Sequence, residues 1–302
     1  MTAPMFTKRA LFLLLTLVAT ACRPSASSDS GADPVVLTST TFLADITRNI
    51  AGERLPVDSL LPIGTDPHSY QPVPRDVARI RNSKVFIVNG AGYEVFLESL
   101  LENAGGESTL IEASAGLSPG ADAENAPGID PHFWLDPNHV IVYVENIREG
   151  LARFDSEGAA VYQANAEAYA AGLKDLDAWI IEKVDQIPPD KRLLVTNHEA
   201  LGYFAERYGF TIVGTVIGSF SSEASPSAQQ MAALVDQIRT SRASAIFLDT
   251  SDNPALARQI AEETGVQIVT GLHLESLTDG PPAGTYIDMM KHNVTQIVNA
   301  LK

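Results

Sequence analysis

The sequence predicts an α/β protein of two similar lobes, each built on a parallel sheet, joined by one long helix with a ligand cleft between the lobes. Three observations lead there. Short apolar, β-rich runs alternate with helical patterns on both sides of the middle of the chain, which is the signature of parallel sheets with crossover helices. One long amphipathic stripe separates the two halves. The halves also open alike, each running from a strand through a polar turn into a helix that stops at glycine.

In chain order, Val35 to Thr38, Val57 to Pro62 and Val85 to Asn89 read as strands of the first half. Leu193 to Thr196, Thr211 to Ile217, Ala245 to Asp249 and Val266 to Thr270 read the same way in the second. Between them Tyr162, Ala166, Tyr169, Leu173, Leu176, Ile180 and Val184 recur at spacings of three and four, one face of a helix that Pro188-Pro189 ends. The openings that match are TSTTFLADITRNIAG from Thr38 to Gly52 and TNHEALGYFAERYG from Thr196 to Gly209. Each half then supplies a second such unit, from Lys84 and from Ala245. Two Rossmann-like lobes of this kind, face to face, would set their strand carboxyl ends around a common cleft. The expected organisation is 35–155 for the first lobe, 156–188 for the linking helix and 189–302 for the second lobe.

The amino terminus reads as a separate matter. Lys8 and Arg9 precede the apolar run Ala10 to Ala21, the layout of an export signal over 1–21, and the run is shorter than the roughly 20 residues of a spanning helix. Cys22, the only cysteine, follows directly, so no internal disulfide can form. Ala19-Thr20-Ala21-Cys22 resembles a lipobox, which makes Cys22 the expected site of acylation, and 22–34 the flexible tether of a membrane-anchored lipoprotein outside the cytoplasm, in the periplasm or at the cell surface. Ordinary cleavage after Ala21 is the alternative. Loss of Lys8 and Arg9 leaves 19 basic against 37 acidic groups, a net charge of −18, which argues against nucleic acid as a partner.

Of six histidines, His68, His132 and His198 fall in loops at the expected mouth of the cleft, whereas His139, His273 and His292 lie in or beside helical or exposed segments. A lone histidine is more often a base or packing group than a ligand. Here His68 and His132 each follow Asp-Pro, so proline stiffens the loop and an aspartate is placed to orient the ring. His198 follows a strand directly and stands where a helix is expected to begin near Glu199.

The motifs GTDPHSYQP, DPHFWLDP, TNHEALGYFAERYGF and TYIDMMKHNV, in this order, resemble the zinc and manganese class of ABC-transporter solute-binding proteins over Val35 to Lys302. The resemblance implies one metal held between two lobes by a ligand from each of four loops, and His68, His132 and His198 match three of them. The fourth family ligand is an aspartate in an Asp-Ser-Leu stretch, which here reads Glu275-Ser276-Leu277; Glu275 is the matching position, with His273 as the competing donor and Asp279 behind it. Three imidazoles and a carboxylate suit Zn²⁺ as the transported ion, whereas Mn²⁺ prefers more oxygen. Manganese specialists of the family carry glutamate where His198 stands, but the His-rich loop of many zinc members is replaced by a short acidic one, Ser118 to Ile129.

The expected function is therefore capture of a divalent metal, Zn²⁺ ahead of Mn²⁺, by a monomer that delivers it to an ABC transporter permease. No enzyme is expected: there is no HExxH pair, no GxSxG elbow and no phosphate-binding GxxxxGK[ST] loop. The rival readings are a zinc-dependent hydrolase, with Glu199 as its base and a water in the fourth position, and an adhesin. Metal affinity is expected to fall as the histidines titrate below about pH 6 to 6.5. Trp134, Met289 and Met290 read as packing residues.

Overall fold

The computed structural model describes residues 1–2, 35–97, 100, 108–118 and 129–302. The export signal, Cys22 and the tether lie outside the described residues, as does most of the acidic loop. Among the described residues no helix is long and apolar enough to cross a membrane.

Two four-stranded parallel sheets carry the fold. The first comprises β1 (Val36–Thr38), β2 (Val57–Ser59), β3 (Val85–Val88) and β4 (Thr109–Glu112) in the order β2-β1-β3-β4. The second comprises β5 (Leu193–Thr196), β6 (Thr211–Thr215), β7 (Ala245–Asp249) and β8 (Gln267–Leu272) in the order β6-β5-β7-β8. The two lobes thus repeat one topology. The order reverses beside the first strand of each, and α/β sheets open a ligand crevice at such a point, outside the strand carboxyl ends.

Alternation along the strands explains why both sheet faces are covered. Val36, Val85 and Ile87 enter a large central core, while Leu37, Phe86 and Val88 point to the opposite face and pack with Leu60 and Ile80. In the second sheet Ala245 and Phe247 enter the same central core, and Ile246 and Leu248 pack with Leu234, Ile238 and Ile260.

The long helix α4 (Ala159–Val184) buries the seven residues of the expected stripe, Tyr162 through Val184, in that central core. It packs on α1 (Thr41–Ala51), α3 (Pro137–Phe154) and the last helix, α8 (Tyr286–Leu301). The linking helix is therefore embedded in packing that draws on both lobes, which restricts hinge motion more than a free-standing bridge would. Local signals set the other ends. Thr40 caps α1, whose last turn closes at Gly52 with φ 59, and Asp136 caps α3 through Asn138 N–H ahead of Pro137.

Two sequence expectations differ from the structure. Strand β4 was not expected; only Ile111 of its four residues is buried, so it lacks the apolar run that marks an interior strand. The helix after β5, α5 (Gly202–Tyr208), starts at Gly202 rather than near Glu199. Residues 198–200 instead make a turn, in which Glu199 N–H reaches the Ser219 carbonyl and the Thr196 hydroxyl bonds the His198 carbonyl.

Leu173 is fully buried at the middle of the α4 stripe. Leu173→Ala should lower unfolding free energy by about 2–5 kcal/mol, read from urea denaturation followed by circular dichroism.

Candidate metal centre

Four loops at strand carboxyl ends deliver the candidate donors: His68 after β2, His132 after β4, His198 after β5 and Glu275 after β8. Each offers one ligand atom, and these atoms all lie within 4.8 Å of one another. His273 does not join this group; its backbone N–H is taken by Asn293 and its ring pairs with His292, with centroids 5.4 Å apart. Asp279 is exposed.

The centre is dry. His132 is 0 % exposed, and His198 and Glu275 are 2 % each; His68 alone is half-buried, at the outer edge. Nε2 of His132 lies 3.4 Å from Nε2 of His68 and 3.5 Å from Oε1 of Glu275, and Nε2 of His198 lies 3.3 Å from the same oxygen. The first is a hydrogen bond between two imidazoles, with its direction set by the tautomer, and the two contacts to Oε1 are charge contacts rather than aligned hydrogen bonds. Neither Nε2 of His198 nor Oε1 of Glu275 has a hydrogen-bond partner within the protein. Buried polar atoms are rarely left so, because each forfeits its hydration. A cation at their point of convergence would satisfy both.

Surrounding groups fix the donors. Oδ1 of Asp130 accepts from the His132 backbone N–H at 3.0 Å and faces ring Nδ1 at 2.7 Å, which turns Nε2 toward the centre. Asp66, in the matching position before His68, likewise accepts the His68 backbone N–H through Oδ1, but its Oδ2 takes the Ser222 hydroxyl rather than facing the ring. The Tyr93 hydroxyl donates to Oε2 of Glu275 at 2.5 Å. Trp134 does more than pack: its indole N–H donates to the Leu274 carbonyl at 2.8 Å, and so holds the segment that carries Glu275. Leu274 N–H in turn donates to Asp249 Oδ2, and Leu277 N–H to the Thr41 hydroxyl.

Protonation follows from this geometry. Burial works against charge on His132, but the carboxylates of Asp130 and Glu275 outweigh it and hold its pKa up at about 9. Burial pushes His68 down to about 4, against the pull of Glu275. Burial also opposes charge on Glu275, yet the His132 and His198 imidazoles keep its carboxyl well below the usual carboxylate range. Ionised Glu275 and protonated His132 thus favour each other in this geometry.

Tyr93 and Asp249 carry no mark in the sequence reading, and Trp134 reads there as packing alone. The signal available for Tyr93 and Asp249 was position, since both sit at or just beyond the carboxyl end of a strand, where ligands of α/β folds gather. Glu199 lies apart from the donors, in the lining of a cavity of about 850 Å³ along β6, so the hydrolase reading has no base at the centre.

Residues 36–300 match the family described as the zinc-uptake complex component A, periplasmic. The manganese-binding lipoprotein MntA of Halalkalibacterium halodurans is 37 % identical over 297 residues, 96 % of this chain and 97 % of that protein. The metal ABC transporter substrate-binding lipoprotein SsaB of Streptococcus sanguinis is 30 % identical over 302 residues, covering 96 % of each. Among solved structures, the periplasmic zinc binding protein TroA of Treponema pallidum superposes with a TM-score of 0.81 at 27 % identity, over 89 % of this chain and 99 % of that one. This chain belongs to the zinc-uptake component A family, whose members are metal-binding solute-binding proteins of ABC transporters and not enzymes.

Proposed function

We propose that the chain captures one divalent transition-metal ion outside the cytoplasmic membrane, Zn²⁺ in preference to Mn²⁺, and hands it to an ABC transporter permease. The ion is held by His68, His132, His198 and Glu275. The observation that carries this reading is the pair of buried, unpartnered atoms, Nε2 of His198 and Oε1 of Glu275, converging with two further imidazoles. Three imidazole nitrogens and one carboxylate oxygen match the four-coordinate preference of zinc, whereas manganese is better served by more oxygen ligands. In this reading Cys22 is acylated, the tether keeps the monomer at the membrane, and the ATPase is a separate subunit. Manganese is the second reading, favoured by the likeness to MntA.

Calorimetric titration of the metal-stripped full-length chain separates the two. One Zn²⁺ per chain is expected, bound more tightly than Mn²⁺. The His68→Ala, His198→Ala double variant should lose more than the roughly 10- to 100-fold that follows loss of a ligand's supporting partner. Tighter binding of Mn²⁺ would transfer the cargo to the second reading, and binding of neither ion would remove the metal function altogether.

A second prediction concerns protons. The metal must displace the proton that His132 holds up to a pKa of about 9, while His68, near 4, is already neutral at pH 7. Apparent Zn²⁺ affinity should therefore fall roughly tenfold per pH unit below about 9, so the loss begins well above the pH 6 to 6.5 of an unperturbed imidazole. Calorimetry at pH 7 in buffers of different ionisation enthalpy should register proton release on metal binding, as His132 gives up its proton. Zero release would contradict this protonation state.

A further inference from the structure

The two oxygens of Glu275 have different surroundings. Oε1 faces the imidazoles of His132 and His198 and has no hydrogen-bond partner. Oε2 accepts the Tyr93 hydroxyl at 2.5 Å. A carboxylate with both oxygens free can grip a metal with two; one held by a short hydrogen bond on one oxygen is biased to offer the other. The glutamate also reaches one methylene further than the aspartate of the family pattern, which lets its distal oxygen meet a group on the other lobe.

Tyr93 is placed so that it cannot turn away. Its side chain is fully buried, with the ring centroid 4.7 Å from that of Trp134 and 5.2 Å from that of His68. Its backbone follows a turn after β3 in which Gly90, Ala91 and Gly92 all adopt positive φ, at 85°, 53° and 79°. For Ala91 that conformation is sterically unfavourable, so the surroundings must enforce it. They do: the buried Glu94 carboxylate accepts the N–H groups of Asn89 and Gly90 and the Ser39 hydroxyl, and Tyr93 N–H closes on the Gly90 carbonyl. A side chain at Gly90 would be strained by its φ of 85°, and its Cβ would also displace the Glu112 carboxylate. A constrained turn therefore aims the phenol at one oxygen of the candidate ligand.

We infer that Tyr93 sets how many oxygens the centre offers its cargo: by occupying Oε2 it holds Glu275 to a single donor oxygen, and the resulting four-donor set selects Zn²⁺ over Mn²⁺. Tyr93 is a positioning residue that acts through Glu275 without touching the ion. The inference rests on the reading of His68, His132, His198 and Glu275 as the metal site. Its chemical basis is that zinc has no geometric penalty at four ligands, while manganese gains from each added oxygen.

Tyr93→Phe keeps the ring and removes only the hydroxyl. The metal-stripped full-length wild type and variant would each be titrated with Zn²⁺ and Mn²⁺, then loaded with Co²⁺ as a spectroscopic probe of coordination number. The wild type should show the intense visible bands of four-coordinate Co²⁺. In the variant the bands should weaken toward those of a higher-coordinate ion, and the ratio of Zn²⁺ to Mn²⁺ affinity should drop about tenfold, the scale of one hydrogen bond to a charged group. An unchanged Co²⁺ spectrum and ratio would overturn the inference, as would equal losses for both ions, which would mark Tyr93 as merely structural. X-ray absorption of the zinc-loaded wild type stands apart from the variant's folding: four light-atom neighbours are expected, and five would refute the single-oxygen assignment. Failure of the wild type to bind zinc or manganese at all is a separate result, because it would overturn the site reading beneath the inference.

Discussion

A carboxylate shut away from water governs the architecture of the cleft. Glu275 is buried yet kept ionised, and burial of an uncompensated charge is costly enough that the surrounding structure must answer it. It does so with three imidazoles and a phenol drawn from four different loops. The three imidazoles and Glu275 can be brought within 4.8 Å of one another only if both sheets present their carboxyl ends to the same space. A cation or a proton can then balance the charge, and the carboxylates of Asp130 and Glu275 favour a proton on His132.

The groups around Glu275 also join the lobes. The segment from Leu274 to Leu277 is held by the Trp134 indole, the Asp249 carboxylate and the Thr41 hydroxyl, which come from the loop before α3, the end of β7 and the start of α1. Ser276 adds a contact to Gly64 N–H at 2.8 Å, and the Asp66 carboxylate meets Ser222 at 2.6 Å beside His68. Binding geometry and contact between the lobes therefore rest on the same residues. Any movement that opens the cleft must break polar contacts at the centre as well as shift packing along α4, which couples the closed shape to the positions of the donors.

Legibility in the sequence varied with how local each signal was. The α4 stripe was complete, because a buried helix face repeats at a spacing that needs no partner to be recognised. His68 and His132 stood out through Asp-Pro-His, and both aspartates accept their histidine's backbone N–H, but Asp130 also faces its histidine's ring whereas Asp66 turns its other oxygen to Ser222. Strand β4 was missed because three of its four side chains are exposed. Tyr93 escaped notice because its partner is 182 positions away, beyond the reach of any local pattern. Trp134 read as packing because nothing in its neighbourhood reveals that its N–H meets Leu274.

By itself the sequence determined the alternation of strands and helices, the single long linking helix, the loop histidines, and, through its likeness to a known family, the class of ligand. These follow from periodicity, turn chemistry and motif order, all of which are carried along the chain. Only the tertiary structure decided that Glu275 rather than His273 faces the imidazoles, that His132 carries the proton, and that Tyr93 claims one carboxylate oxygen. Each of those depends on distance and desolvation between groups from separate loops, and such quantities exist only once the two sheets share a cleft.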